Sequence, residues 1–140
     1  MKTDGYRIRS DSYAVYELVK KLGSSITIPI TQFDMSTQES FVIEAILQCI
    51  PIPAIWVQED AKGWRHPVKG EHVINALYKF IVQGEHLNCT RDTDLHGKTY
   101  DNLKNTLKLR LDATVITIHL MSEVNTYDAN AIMNIVDAIA

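Results

Sequence analysis

The sequence predicts an α+β fold: one domain with a small mixed sheet packed against about five helices. Three observations carry this. Apolar residues recur at helical spacing in separate stretches of the 140 residues. Short β-branched runs lie between those stretches, and Val115 to Met121 alternates apolar and polar residues as a half-buried strand does. The two kinds of element interleave without the regular βαβ alternation of a parallel sheet.

Taken in order, Val15, Leu18, Val19 and Leu22 share one helical face, so a helix is expected over Asp11 to Leu22, stopped by Gly23. Residues 1–10 then read as a loosely ordered N-terminal arm. Ile26-Thr27-Ile28-Pro29-Ile30 is a short strand whose proline suits an edge. Ser36 opens the next helix, with Glu39 completing a capping box. Val42, Ala45, Ile46, Cys49 and Ile50 form one stripe and Phe41, Ile43 and Leu47 another, so this helix is expected to be buried nearly all round, with Cys49 in the core. Pro51 is its expected stop, and Pro51-Ile52-Pro53 a stiff connector.

Ala54 to Glu59 and Trp64 to Val68 read as a hairpin around Lys62-Gly63. Gly70 leads a third helix with Val73, Leu77, Phe80 and Ile81 on its apolar face, and Gly84 ends it. Glu85 to Cys89 is expected as a short strand and Arg91 to Lys98 as a loop. Leu103, Leu107 and Leu111 mark a helix starting near Asp101. After the strand at Val115 to Met121, Asn125 caps a last helix with Ala129, Ile132, Met133 and Val136 inward.

Composition narrows the function classes. The chain is 46% hydrophobic and 22% charged, ordinary for a globular domain. No apolar run approaches the ~20 residues needed to span a bilayer, and the first ten residues are not a secretory signal, so a cytoplasmic protein with no membrane partner is expected. The formal charge is −3, and residues 24–60 hold five acids and no base. Lys98, Lys104, Lys108 and Arg110 are the nearest thing to a basic stripe and read as a solvated helix face. Net charge therefore gives no support to a nucleic-acid partner. The five histidines include no pair at the spacing that puts two ligands on one helix face, so no metal site is predicted.

One segment carries chemistry: Val68-Lys69-Gly70-Glu71-His72-Val73-Ile74-Asn75-Ala76-Leu77. A strand runs into a glycine and the glycine into a helix, an arrangement that offers backbone N–H groups to an anion. Lys69 adds positive charge. Glu71 favours the helix dipole but repels phosphate unless a metal ion bridges them.

Ile28-Pro29, then Gln32, a buried helix, Ile50-Pro51-Ile52-Pro53-Ala54-Ile55-Trp56-Val57, the Gly70-led helix and finally Gly97-Lys98-Thr99-Tyr100-Asp101-Asn102-Leu103 resemble the N-terminal domain of GmrSD-type restriction systems, within the ParB/sulfiredoxin-like superfamily. The resemblance covers roughly residues 11–121. It implies a ParB-like fold and a nucleotide or phosphate site at Gln32, Lys69, Gly70, Glu71 and His72, with Glu71 and His72 as the catalytic candidates. Nucleoside triphosphate with magnesium is the implied ligand.

The functional motifs depart from the family pattern. Phe33 stands where an arginine follows Gln32, Lys69 replaces an aspartate, and Val73 replaces a second arginine. Arginine supplies a fixed fork of donors to phosphate, and phenylalanine and valine supply none. Two lost charge-assisted contacts weaken phosphate binding roughly 10²–10⁴-fold, with Lys69 and Arg65 the cations nearest to compensate. The family's His-Asn-His nuclease region has no counterpart in these residues. The expectation is a ParB-like binding module with a degenerate site, non-catalytic, in a DNA-related or defence-related assembly. The alternatives are a nucleotide-dependent phosphohydrolase built on Gly70-Glu71-His72, and a structural domain that binds a protein partner or itself.

Overall fold

The computed structural model describes residues 5–29, 32–88 and 90–140. Their elements run β1 (Ile8–Ala14), α1 (Val15–Lys21), α2 (Thr37–Leu47), β2 (Ile55–Glu59), β3 (Arg65–Lys69), α3 (Glu71–Leu77), α4 (Asn105–Ala113), β4 (Val115–Met121) and α5 (Thr126–Ile139). The α+β class follows directly. The sheet has four strands in the order β1-β4-β2-β3. The central pair, β4 and β2, is parallel, and both outer pairs are antiparallel.

Strand alternation divides the interior in two. Ile55 and Val57 of β2 and Ile116, Ile118 and Leu120 of β4 point to one face, where α1 to α4 bury them in the main core. On the other face Met121 joins Val124, Ala129 and Ile132 under α5, with Trp56 and Val68 packed alongside. No helix among the described residues is long and apolar enough to cross a membrane.

The first expected helix is instead a strand followed by a short helix. Ile8 to Ala14 pair with Met121 to Val115, so Ile8, Arg9 and Ser10 belong to the sheet rather than to a loose arm. Ser10, Asp11 and Ser12 are weak helix formers, and β4 offers a ladder that local propensity cannot match. The turn into α1 comes at Ala14, where Val15 N–H donates to the Thr114 carbonyl at 2.8 Å. The expected strand at Ile26 is reduced to single bridges, Leu22 with Ile26 and Ile26 with Arg65, and Ile30 lies outside the described residues. Glu85 to Asn88 is not a strand, and Cys89 lies outside the described residues.

Helix α2 opens as expected. Glu39 N–H donates to Ser36 Oγ and Ser36 N–H to Glu39 Oε1. Its end differs. The helix stops at Leu47, ahead of Pro51, through a left-handed cap at Cys49, whose φ is +61°. Cys49 N–H donates to the Ile46 carbonyl and Ile50 N–H to the Ala45 carbonyl, the paired bonds of a Schellman motif. That geometry swings Cys49 out of the core, and it is exposed.

The buried side of α2 is polar as well as apolar. Lys79 Nζ, in the wide π-helical turn Tyr78–Val82 that continues α3, donates to Glu39 Oε1 at 2.8 Å and to the Asp34 carbonyl at 3.0 Å. Ser40 Oγ accepts from Asn88 N–H. Glu44, 4% exposed, accepts from the N–H groups of Arg91 and Asp92. Three side chains of one helix thus fasten the irregular stretch between α3 and α4.

That stretch ends in a 3₁₀ turn at Tyr100–Asn102, and α4 begins four residues later than the leucine spacing suggests. The expected basic face of α4 is partly occupied. Lys108 Nζ lies over the Tyr100 ring, and Arg110 donates to the Leu47 carbonyl at 2.6 Å. Tyr100 sets its ring edge-on to Phe80 and donates its hydroxyl to Asp112. Burial, followed by the Asp112 carboxylate, pushes the Tyr100 hydroxyl up to about 12.

Two outcomes follow. Cys49→Gly relieves the left-handed backbone cost and raises stability by ~0.5–1 kcal/mol in urea unfolding. For Tyr100, the folded value lies above the ordinary 10.0, so its contribution is complete below pH 10 and lost as pH rises toward 12. Tyr100→Phe is therefore less stable than the parent at pH 8, and the gap in melting temperature closes between about pH 10 and 12.

Candidate functional site

Strand β3 runs antiparallel to β2 and ends at Lys69, opposite Trp56. Gly70 then turns the chain into α3 with φ +87°. A Cβ here would lie 3.2 Å from Ile55 Cγ1 and 3.4 Å from Ile55 Cα. Both the left-handed backbone and the close approach to β2 call for glycine. The Gly70 carbonyl accepts from Val73 N–H at 3.0 Å and starts the helix.

The side chains around this turn do not form a phosphate cradle. Val73, at the position of the family's arginine, is 1% exposed and sits in the main core with Ile74, Ala76 and Leu77. Phe33, at the other arginine position, is 77% exposed. Lys69 is taken by an ion pair with Asp137 of α5, and Arg65 by one with Glu59 at 3.5 Å. Neither proposed compensating cation is free. Gln32 is exposed, His72 is half-buried, and no hydrogen bond among the described residues links either of them to Lys69, Gly70 or Glu71. The structure therefore joins Lys69, Gly70, Glu71 and His72 only by succession along the chain.

A different polar contact ties the Pro29 segment to α3. Asn75, 8% exposed, donates its side-chain amide to the Pro29 carbonyl at 3.2 Å. Its Oδ1 is buried with no partner, and so is Glu71 Oε1. Residues 71 and 75 are four apart on the helix and so share a face. Two buried acceptors without a donor disfavour an anion and favour a donor. The family pattern carries glutamine at position 71, whose amide would be such a donor. Among the described residues no group of three His, Cys, Asp or Glu side chains is placed to hold a metal ion.

The structure also assembles a constellation that sequence reasoning missed. His66 Nε2 meets Asp60 Oδ2 at 2.8 Å, and His66 Nδ1 meets Thr27 Oγ1 at 3.2 Å. Asp60 Oδ1 accepts from Lys62 and Trp64 N–H across the hairpin turn. The hydrogen bond to His66 leads in holding the Asp60 carboxyl below its ordinary value. This row of carboxylate, imidazole and hydroxyl fastens residues 25–27 to β3, alongside Thr27 N–H to the Arg65 carbonyl and Arg65 N–H to the Ser25 carbonyl. The hairpin with an aspartate at its start was a readable signal for the Asp60 half. Thr27, remote in sequence, was not. No family model, no curated protein and no solved structure matches the chain.

The orphaned acceptors give a direct test. In Glu71→Gln the new amide donates toward Asn75 Oδ1, satisfying two buried groups at once. The substitution raises unfolding free energy by about 1 kcal/mol at pH 7, read by urea denaturation.

Proposed function

We propose that the chain is a ParB-like binding module with a degenerate nucleotide site, non-catalytic, working in a DNA-related or defence-related assembly. The observation that carries the reading is the fate of the positions where the resemblance calls for arginine. One is a core valine and the other an exposed phenylalanine. The strand, glycine and helix of the motif are kept, so the backbone frame of a phosphate site persists without its charges. The buried, unpaired oxygen of Glu71 adds a further penalty against an incoming phosphate. A phosphohydrolase built on Glu71 and His72 has no free cation beside it to hold the charge that develops on a transferring phosphoryl group.

A protein partner as the module's target is supported by α5. That helix seats Ala129 and Ile132 on the sheet yet leaves Tyr127, Ile135 and Ile139 exposed. Its apolar surface is wider than its seat requires.

The test is a thermal-shift series with ATP, GTP, CTP and UTP at millimolar concentration, each with and without magnesium, together with a phosphate-release assay. The expected result is an unmoved midpoint and no phosphate released. A rise of several degrees with any nucleotide, which mass action demands of a bound ligand, or measurable hydrolysis, overturns the reading.

A further inference from the structure

We propose that the hollow at the start of α4 binds a small zwitterion, an α-amino acid with an apolar side chain. The hollow has a volume of about 390 Å³, inside the range of small-molecule pockets. Two aspartates, Asp92 and Asp94, and two lysines, Lys98 and Lys104, line it. Among the described residues none of these four takes part in an ion pair. Opposite charges that share one hollow and do not meet leave room for a molecule carrying both signs.

The floor is apolar. Leu95 and Leu103 are buried in the main core and Leu107 packs against it, while all three face the hollow. A ligand carboxylate directed at Lys98 and Lys104 also approaches the positive end of α4, because Lys104 is its N-cap residue. The ammonium group then faces Asp92 and Asp94, and the side chain lies on the leucines.

The walls are held in advance. The buried Glu44 carboxylate accepts from Arg91 N–H at 3.0 Å and Asp92 N–H at 2.6 Å. Asp92 Oδ1 accepts from Asp94 N–H, and Thr90 Oγ1 donates to the Asp92 carbonyl. The opposite wall is pinned by Leu87 N–H to the Lys98 carbonyl and Lys98 N–H to the Leu95 carbonyl. Burying a carboxylate is costly, and here its two oxygens serve to fix an exposed loop. A fixed loop reduces the ordering cost of binding. The hollow shares no residue with the Gly70 turn, so this inference stands or falls independently of the function proposed above.

The experiment is a ¹⁵N-resolved NMR titration of the whole chain with L-leucine as probe. Its two single-charge analogues, 4-methylpentanoate and 3-methylbutylamine, are run beside it. Saturable shifts confined to residues 90–107 are expected with leucine. Each analogue should bind at least about fivefold more weakly, the size of one solvent-exposed charge contact. Asp94→Asn and Lys104→Gln should each weaken leucine binding by about the same factor while leaving the rest of the spectrum in place. Both side chains are exposed, so folding is not at risk. Equal binding of either analogue, shifts mapping elsewhere, or no saturable shift up to about 50 mM leucine overturns the proposal.

Discussion

The contact on which the architecture turns is the buried ion pair of Lys79 and Glu39. Its side chains are only 4% and 8% exposed. A pair removed from water contributes little net stability, but leaving either partner alone costs several kcal/mol. Its value here is positional. Glu39 Oε1 simultaneously accepts from Ser36 N–H, and Lys79 Nζ also reaches the Asp34 carbonyl. One cluster therefore sets where α2 begins, how residues 34–36 approach it, and where the wide turn after α3 must lie. Ser40 and Glu44, further along the same helix, repeat the device on the stretch that follows. An interior helix has become the peg on which three irregular segments hang.

This arrangement separates what belongs to the fold from what belongs to a ligand. Gly70 looks like a phosphate-binding glycine in the sequence. In the structure its need is met by Ile55, whose backbone approaches too closely for a Cβ. The glycine persists for packing whether or not an anion ever reaches it. Charge is the part a ligand would require, and there the chain has redirected its groups inward. Lys69 clasps α5 to the sheet, Arg65 pairs with Glu59 within the hairpin, and Val73 fills core volume.

Legibility followed the range of the forces involved. The capping box of Ser36 and Glu39, the Asn125 cap and the alternation of β4 are local, and the sequence displays them openly. β1 was hidden because its residues show no strand pattern of their own; its partner, β4, decides it. Cys49 was misread because an apolar stripe says nothing about where a helix will end, and the left-handed cap sits on that residue. At the candidate site the glycine turn was visible. The unpaired oxygens of Glu71 and Asn75, the loss of Lys69 to Asp137, and the Thr27 end of the His66 row each depend on partners far away in the chain.

The pairing of β1 with β4 has a consequence in time. The two strands lie about a hundred residues apart in sequence, and loops that long must close before their ladder yields any stabilisation. During synthesis at ~5–20 residues per second, β1 waits roughly five to twenty seconds for its partner to be made. Throughout that interval both of its edges are open to other chains. Arg9 and Asp11, which form an ion pair along the strand, put charge on it, a common guard against edge-to-edge aggregation. The sheet is thus completed last by the strand that is made first.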